Sequence, residues 1–236
     1  MTNDRVVLIK PGNFGQIVAA DGRRGEFDIG NEVILSHRLP VDAVFIGDSI
    51  THMWELNAYF GRNGRLLVNR GIGGDISSHV ARRFAADVIQ LQPKCAVIKI
   101  GVNNFWALDG WTAADRKPVE EIVADLVSDV QDMVRQAKEH GIVPVICSVL
   151  PTHMPHSGND GLRNTGIQNA NELLRTLAAE QGAIYVDYHS RMVQPDRLQL
   201  RGGLADDGLH PHVRGYDIMA ETLRETLRTT GIDWLA

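Results

Sequence analysis

From Val41 onward, short apolar runs alternate with longer stretches of helical periodicity. The runs are Ala43–Ile46, Leu66–Asn69, Cys95–Ile100, Val143–Val149 and Ala183–Asp187. Each is short and rich in β-branched or small apolar residues, and turn or charged residues bound it, as buried strands require. Between and after them the pattern predicts helices over about Thr51–Phe60, Ser77–Gln90, Val119–His140, Thr165–Glu180 and Pro211–Thr230. In the third of these, Val119, Ile122, Val123, Leu126, Val130, Met133, Val134 and Ala137 share one face, and Gly141 stands where a helix-ending glycine belongs. Strand and helix in strict alternation leave few foldings open. The expected class is α/β, a three-layer sandwich with a five-stranded parallel sheet and helices on both faces. All the strand-to-helix turns then lie along one sheet edge, where ligands bind in such folds.

Residues 1–40 do not share this alternation. Arg5–Ile9 and Gln16–Ala19 read as short strands around the turn Pro11-Gly12-Asn13, and Glu32–Arg38 reads as a helical turn. The expected division is a small N-terminal β arm over 1–40, a candidate lid or homo-oligomer contact, and an α/β domain over 41–236. A chain of 236 residues, 44% hydrophobic, suits one large core. Its net charge of −5 and mixed charge pattern supply no basic stripe, which argues against nucleic acid or an anionic membrane as partner. No apolar run is long enough to insert in a membrane, and Met1–Lys10 lacks the apolar centre of a leader, so a cytoplasmic location is expected. Cys95 and Cys147 each sit inside an apolar run and read as small core residues rather than a disulfide.

The turns along the sheet edge carry the chemistry. The first strand ends in Gly47-Asp48-Ser49, the second in Gly71-Ile72-Gly73-Gly74-Asp75, and the third in Gly101-Val102-Asn103-Asn104. After the fifth and a longer loop comes Asp207-Gly208-Leu209-His210. Taken alone, Gly-Asp-Ser is more often a turn than a nucleophile. Taken together, the four turns hold the parts of an acyl-transfer site. Ser49 offers a hydroxyl, His210 a base, and Asp207, three residues earlier, an acid to orient that base. Backbone N–H groups of Ser49 and Gly74 and the amide of Asn103 offer donors for an oxyanion.

These stretches resemble the GDSL/SGNH hydrolase family, block by block and in order. The blocks are Gly47-Asp48-Ser49-Ile50, Asn69 through Asp75, Gly101 through Asn104, and Asp207 through Pro211. The similarity spans about residues 41–230 and is nearest to the branch of platelet-activating-factor acetylhydrolase catalytic subunits and similar bacterial esterases. It implies a flavodoxin-like strand order and a serine esterase that releases short acyl groups, acetyl above all, through an acyl-enzyme. It implies Ser49, Asp207 and His210 as the catalytic set, Ser49, Gly74 and Asn103 as the oxyanion hole, and no cofactor. Where the family's third block often ends in Asp, this chain has Asn104, which leaves the oxyanion donor in place.

The substrate expected is a small-molecule ester, for which an acetylated sugar is one candidate. A thioesterase or lysophospholipase would use the same residues, and a non-catalytic binding protein could use the same fold. Asn104, Trp106 and His153 are candidate substrate contacts, and Trp111 stands with Trp106 as a pocket or core aromatic. His153, His156, His210 and His212 invite a metal site, but their spacing is loose and no carboxylate set joins them, so none is assigned. Asp48 is expected to hold its turn, and Asp75 to cap the next helix.

Overall fold

The computed structural model describes the chain except residues 1–4, 16–17, 62–63, 111, 113–114, 196 and 233–236. Five strands, β1 (Ala43–Gly47), β2 (Leu67–Gly71), β3 (Cys95–Lys99), β4 (Val143–Cys147) and β5 (Ile184–Val186), form one parallel sheet in the order β2-β1-β3-β4-β5. This is the doubly wound order implied by the family resemblance. Strand order reverses between β1 and β3, which opens a crevice beyond their carboxyl ends. Both strands are buried along their whole length, as a sheet covered on two faces demands.

Helices α4 (Ser77–Asp87), α5 (Val119–Glu139) and α6 (Asp160–Gln181) pack side by side as one layer. On the other side, α8 (Val213–Thr229) packs beside α7 (Tyr188–Met192) and reaches the short helices α2 (Ser49–His52) and α3 (Leu56–Phe60). The helical stretch expected from Thr51 thus starts at Ser49 and breaks once, and the one expected from Thr165 begins five residues earlier. All eight expected apolar positions of α5 are buried. An antiparallel ribbon of β6 (Val193–Gln194) and β7 (Arg197–Leu200) carries the chain from α7 toward His210. Cys95 and Cys147 are free, and burial pushes both thiols up to about 12. Among the described residues no helix is long and apolar enough to cross a membrane.

The β character expected at the N-terminus is corrected. Residues 5–15 form no strand, and α1 (Ala19–Ser36) is a single helix of 18 residues. Part of the second expected strand, Gln16–Ile17, lies outside the described residues. The buried face of α1 is Ala20, Arg24, Phe27, Asn31 and Ile34, a helical period with two polar members. Arg24 pairs with Asp87 and Asp28, and Asn31 accepts from Arg70 and donates to the Ala86 carbonyl. Those partners make burial of Arg24 and Asn31 tolerable. Without them in view, the stripe reads as polar and its glycines as breaks.

Candidate active site

Ser49 leaves β1 as the first residue of α2. Asp48 is the N-cap, accepting the Ile50 N–H at 3.0 Å, so the turn is fixed by the residue before the hydroxyl. Asp48 is fully buried and pairs with Lys99 Nζ at 3.3 Å, also buried at the end of β3. Asn69 adds a second clamp. Its amide donates to the carbonyls of Thr51 and Trp54, and its oxygen accepts the Gly71 N–H. Tyr216 of α8 donates to the Ile50 carbonyl at 2.8 Å.

His210 arrives from the far end of the sheet edge. Its Nε2 lies 2.9 Å from Ser49 Oγ, and its Nδ1 lies 2.5 Å from Asp207 Oδ2. A carboxylate only accepts, so Nδ1 carries the ring proton and Nε2 is left to accept from the serine hydroxyl. The other oxygen of Asp207 accepts the backbone N–H groups of Leu209 and His210 at 2.9 and 2.7 Å. Burial pushes this carboxyl up, but those N–H groups and the His210 ring outweigh it and hold Asp207 below the usual carboxylate range. Gly208 makes the turn possible. Its φ is +76°, and a Cβ there would stand 1.8 Å from the His153 carbonyl oxygen.

The glycine turn after β2 runs beside the serine: a Cβ built on Gly73 would lie 3.8 Å from that of Ser49. Gly74 follows with φ +81° and nothing within 4 Å of its Cβ position, so the left-handed backbone, not a close approach, is what asks for glycine there. Asn103, in the 3-10 segment Val102–Asp109 after β3, donates through Nδ2 to the Asp75 carbonyl of that same turn at 2.9 Å. It accepts the Trp106 indole N–H at 3.2 Å.

A hydroxyl, ring and carboxylate in continuous hydrogen-bonded sequence can move a proton off the hydroxyl as it attacks. Residues 45–218 match the family model described as GDSL-like Lipase/Acylhydrolase. The chain belongs to that family. It is an esterase of the GDSL acylhydrolase type. The sequence is 26% identical over 180 residues to the acetylxylan esterase of Geobacillus stearothermophilus, covering 76% of this chain and 78% of that protein. A solved GDSL-like lipase from Bacteroides thetaiotaomicron superposes with a TM-score of 0.73 at 26% identity, over 87% of this chain and 97% of that one. A structure from Streptococcus pneumonia named for platelet activating factor shares the fold, with TM-score 0.71, 21% identity, and coverage of 89% and 92%.

The remaining sequence candidates of this esterase lie in different places. Asn104 accepts the Ser77 N–H and donates to Ser77 Oγ, so its amide serves the start of α4. Asp75 does not cap α4; it pairs with Arg83 at 2.8 Å. Trp106 and Asn103 share a cleft of about 550 Å³ with Asn104, Lys117, Asp125 and Asp129. His153 lines a separate hollow of about 340 Å³ together with Asp207, Arg201 and Asp206. Trp111 lies outside the described residues.

Arg83 and Lys99 carry no expectation from the sequence, and Asn69, the start of the second block, carries none for its clamping role. Arg83 is fully buried and donates to Asp75, Asp87 and the carbonyls of Arg70 and Gly47. It thereby ties the ends of β1 and β2 to the glycine turn. The signal was present: Arg83 and Asp87 stand one turn apart on the buried side of α4, and Lys99 interrupts an otherwise apolar strand.

Proposed function

We propose that this GDSL hydrolase cleaves short-chain carboxylic esters, acetyl esters above all, through an acyl-enzyme on Ser49. The observation that carries the reading is the chain Ser49 Oγ–His210 Nε2 at 2.9 Å and His210 Nδ1–Asp207 Oδ2 at 2.5 Å. Ser49 Oγ bonds to the ester carbonyl carbon while its proton passes to His210 Nε2. Asp207 holds the ring in the accepting tautomer and stabilises the imidazolium. The N–H groups of Ser49 and Gly74 and the amide of Asn103 receive the oxyanion. Collapse breaks the bond to the alkoxy oxygen, and His210 returns the proton to the departing alcohol. Water then repeats the sequence on the acyl-enzyme and releases the carboxylic acid.

The short acyl preference draws on the acetylxylan esterase relative, and an acetylated sugar fits the same support. A p-nitrophenyl ester series from acetate to decanoate, run on wild type and Ser49→Ala, tests both parts. Acetate is expected to turn over best, and Ser49→Ala to lose about 10⁴-fold or more in kcat. Equal turnover by the two proteins removes Ser49 from the reaction. Faster cleavage of decanoate shifts the substrate toward lysophospholipids and long-chain thioesters.

A further inference from the structure

Trp106 lines the cleft beside Asn103, with 42% of its surface exposed. An exposed indole at a cleft ordinarily suggests a stacking platform for substrate. Its polar atom says something else. An indole N–H donates and cannot accept, and a backbone carbonyl accepts and cannot donate. Asn103 lies between one of each: its Oδ1 takes the Trp106 N–H at 3.2 Å, and its Nδ2 gives one proton to the Asp75 carbonyl at 2.9 Å. With the amide turned over, a carbonyl would face a carbonyl and an NH₂ would face an N–H. Only one orientation satisfies both neighbours.

We infer that Trp106 is a positioning residue, which fixes the Asn103 amide so that its second Nδ2 proton is presented to the oxyanion. Among the described residues no acceptor takes that second proton. Trp106 is itself held. The guanidinium of Arg163, a fully buried side chain of α6, stacks 4.7 Å from the ring centre. Arg163 is fixed in turn by Asp109 and by Ser157 Oγ at 3.1 Å. Asn103 is therefore oriented by two residues of its own 3-10 segment and the neighbouring turn, with α6 as the backing. The inference rests on the oxyanion role proposed for Asn103.

A double-mutant cycle on p-nitrophenyl acetate separates positioning from substrate stacking. Trp106→Phe keeps an aromatic ring and removes the N–H. It is expected to lower kcat about tenfold with KM and the unfolding midpoint close to wild type, a smaller loss than the roughly hundredfold of Asn103→Ala. In the Asn103→Ala background, adding Trp106→Phe should cost nothing further, since the group it orients is gone. Wild-type kcat in Trp106→Phe beside an impaired Asn103→Ala overturns the positioning role and leaves the oxyanion reading standing. Losses that multiply in the double variant, or a change confined to KM, overturn it in favour of a substrate platform. Wild-type kcat in Asn103→Ala removes both the oxyanion reading and this inference.

Discussion

The two sides of the Ser49 site are built by opposite means. On the serine side, the turns after β1, β2 and β3 rest on side chains that never meet solvent: Asp48, Lys99, Arg83, Asp75 and Asp87. Several of their bonds reach across the chain, with 51 positions between Lys99 and Asp48 and 36 between Arg83 and the Gly47 carbonyl, while Asp75 and Asp87 lie eight and four positions from Arg83. On the histidine side, Asp207 keeps 54% of its side chain exposed and His210 keeps 32%. Their bonds are local, spanning two or three residues, and the loop joins the body through such contacts as His153 N–H to the Gly208 carbonyl at 2.8 Å. The difference matches what each side is asked to do. In the proposed reaction charge develops next to the glycine turn, and donors work there only if they are already aimed. A base that accepts and returns one proton needs the right tautomer, which one carboxylate three residues away supplies.

The largest expected effect is at Asp207. Asp207→Asn can still accept the two backbone N–H groups, so the loop keeps its shape, but the amide NH₂ facing His210 Nδ1 forces the wrong ring tautomer. The expected loss in kcat is about 10³- to 10⁴-fold, with the urea midpoint nearly unchanged. A large fall in stability here would show that the histidine side also carries the fold. Arg83→Met asks the converse. It removes the guanidinium that Asp75, Asp87 and the Gly47 and Arg70 carbonyls share, and the expected cost is about 3–5 kcal/mol in urea unfolding. A loss below about 1 kcal/mol would show that the buried cluster is not what holds the serine side.

Legibility in the sequence divides along the same line. The strand-helix alternation, the five-stranded sheet and the four turns could be read because each signal lies within a few neighbouring residues. Asp207 and His210 pair across three positions, and Asp48 caps its own helix. Helix α1 is hard to read, because Arg24 and Asn31 are turned inward by Asp87 and Arg70, 63 and 39 positions away, and only the Arg24–Asp28 pair is local. Arg83 is legible only in part: Asp87 stands one turn away on the same helix, whereas the Gly47 carbonyl is brought to it by the sheet. Asn104 shows the limit of motif position. It sits beside Asn103 in the third turn, yet both ends of its amide are committed to Ser77, whose hydroxyl in turn donates to Asp129 at 2.5 Å.

The smallest expected effect is in the acid dependence of stability, where two carboxyls, Asp207 and Asp129, carry opposite signs. Burial raises the Asp207 carboxyl, but the backbone N–H groups of His210 and Leu209 and the His210 ring outweigh it, so its folded pKa lies below the unfolded one. Its stabilisation is complete above the ordinary carboxylate range and is lost as pH falls through the folded value, where the native state must take up a proton. Asp129, on α5 beneath the start of α4, is raised by burial, with only the Ser77 hydroxyl against it and Asp125 and Asp132 adding to the rise. Its native state holds a proton that the unfolded chain has already released, so its contribution is present in acid and lost as pH rises from the ordinary carboxylate range through the raised value. Unfolding free energies of wild type, Asp207→Asn and Asp129→Asn from pH 3 to 7 read the two slopes. Relative to wild type, Asp207→Asn should lose ground as pH rises, and Asp129→Asn should gain it. Both groups are partly solvated, so each slope is shallow, and slopes of one sign for both variants would end the electrostatic contrast between the half-buried Asp129 and the more exposed Asp207.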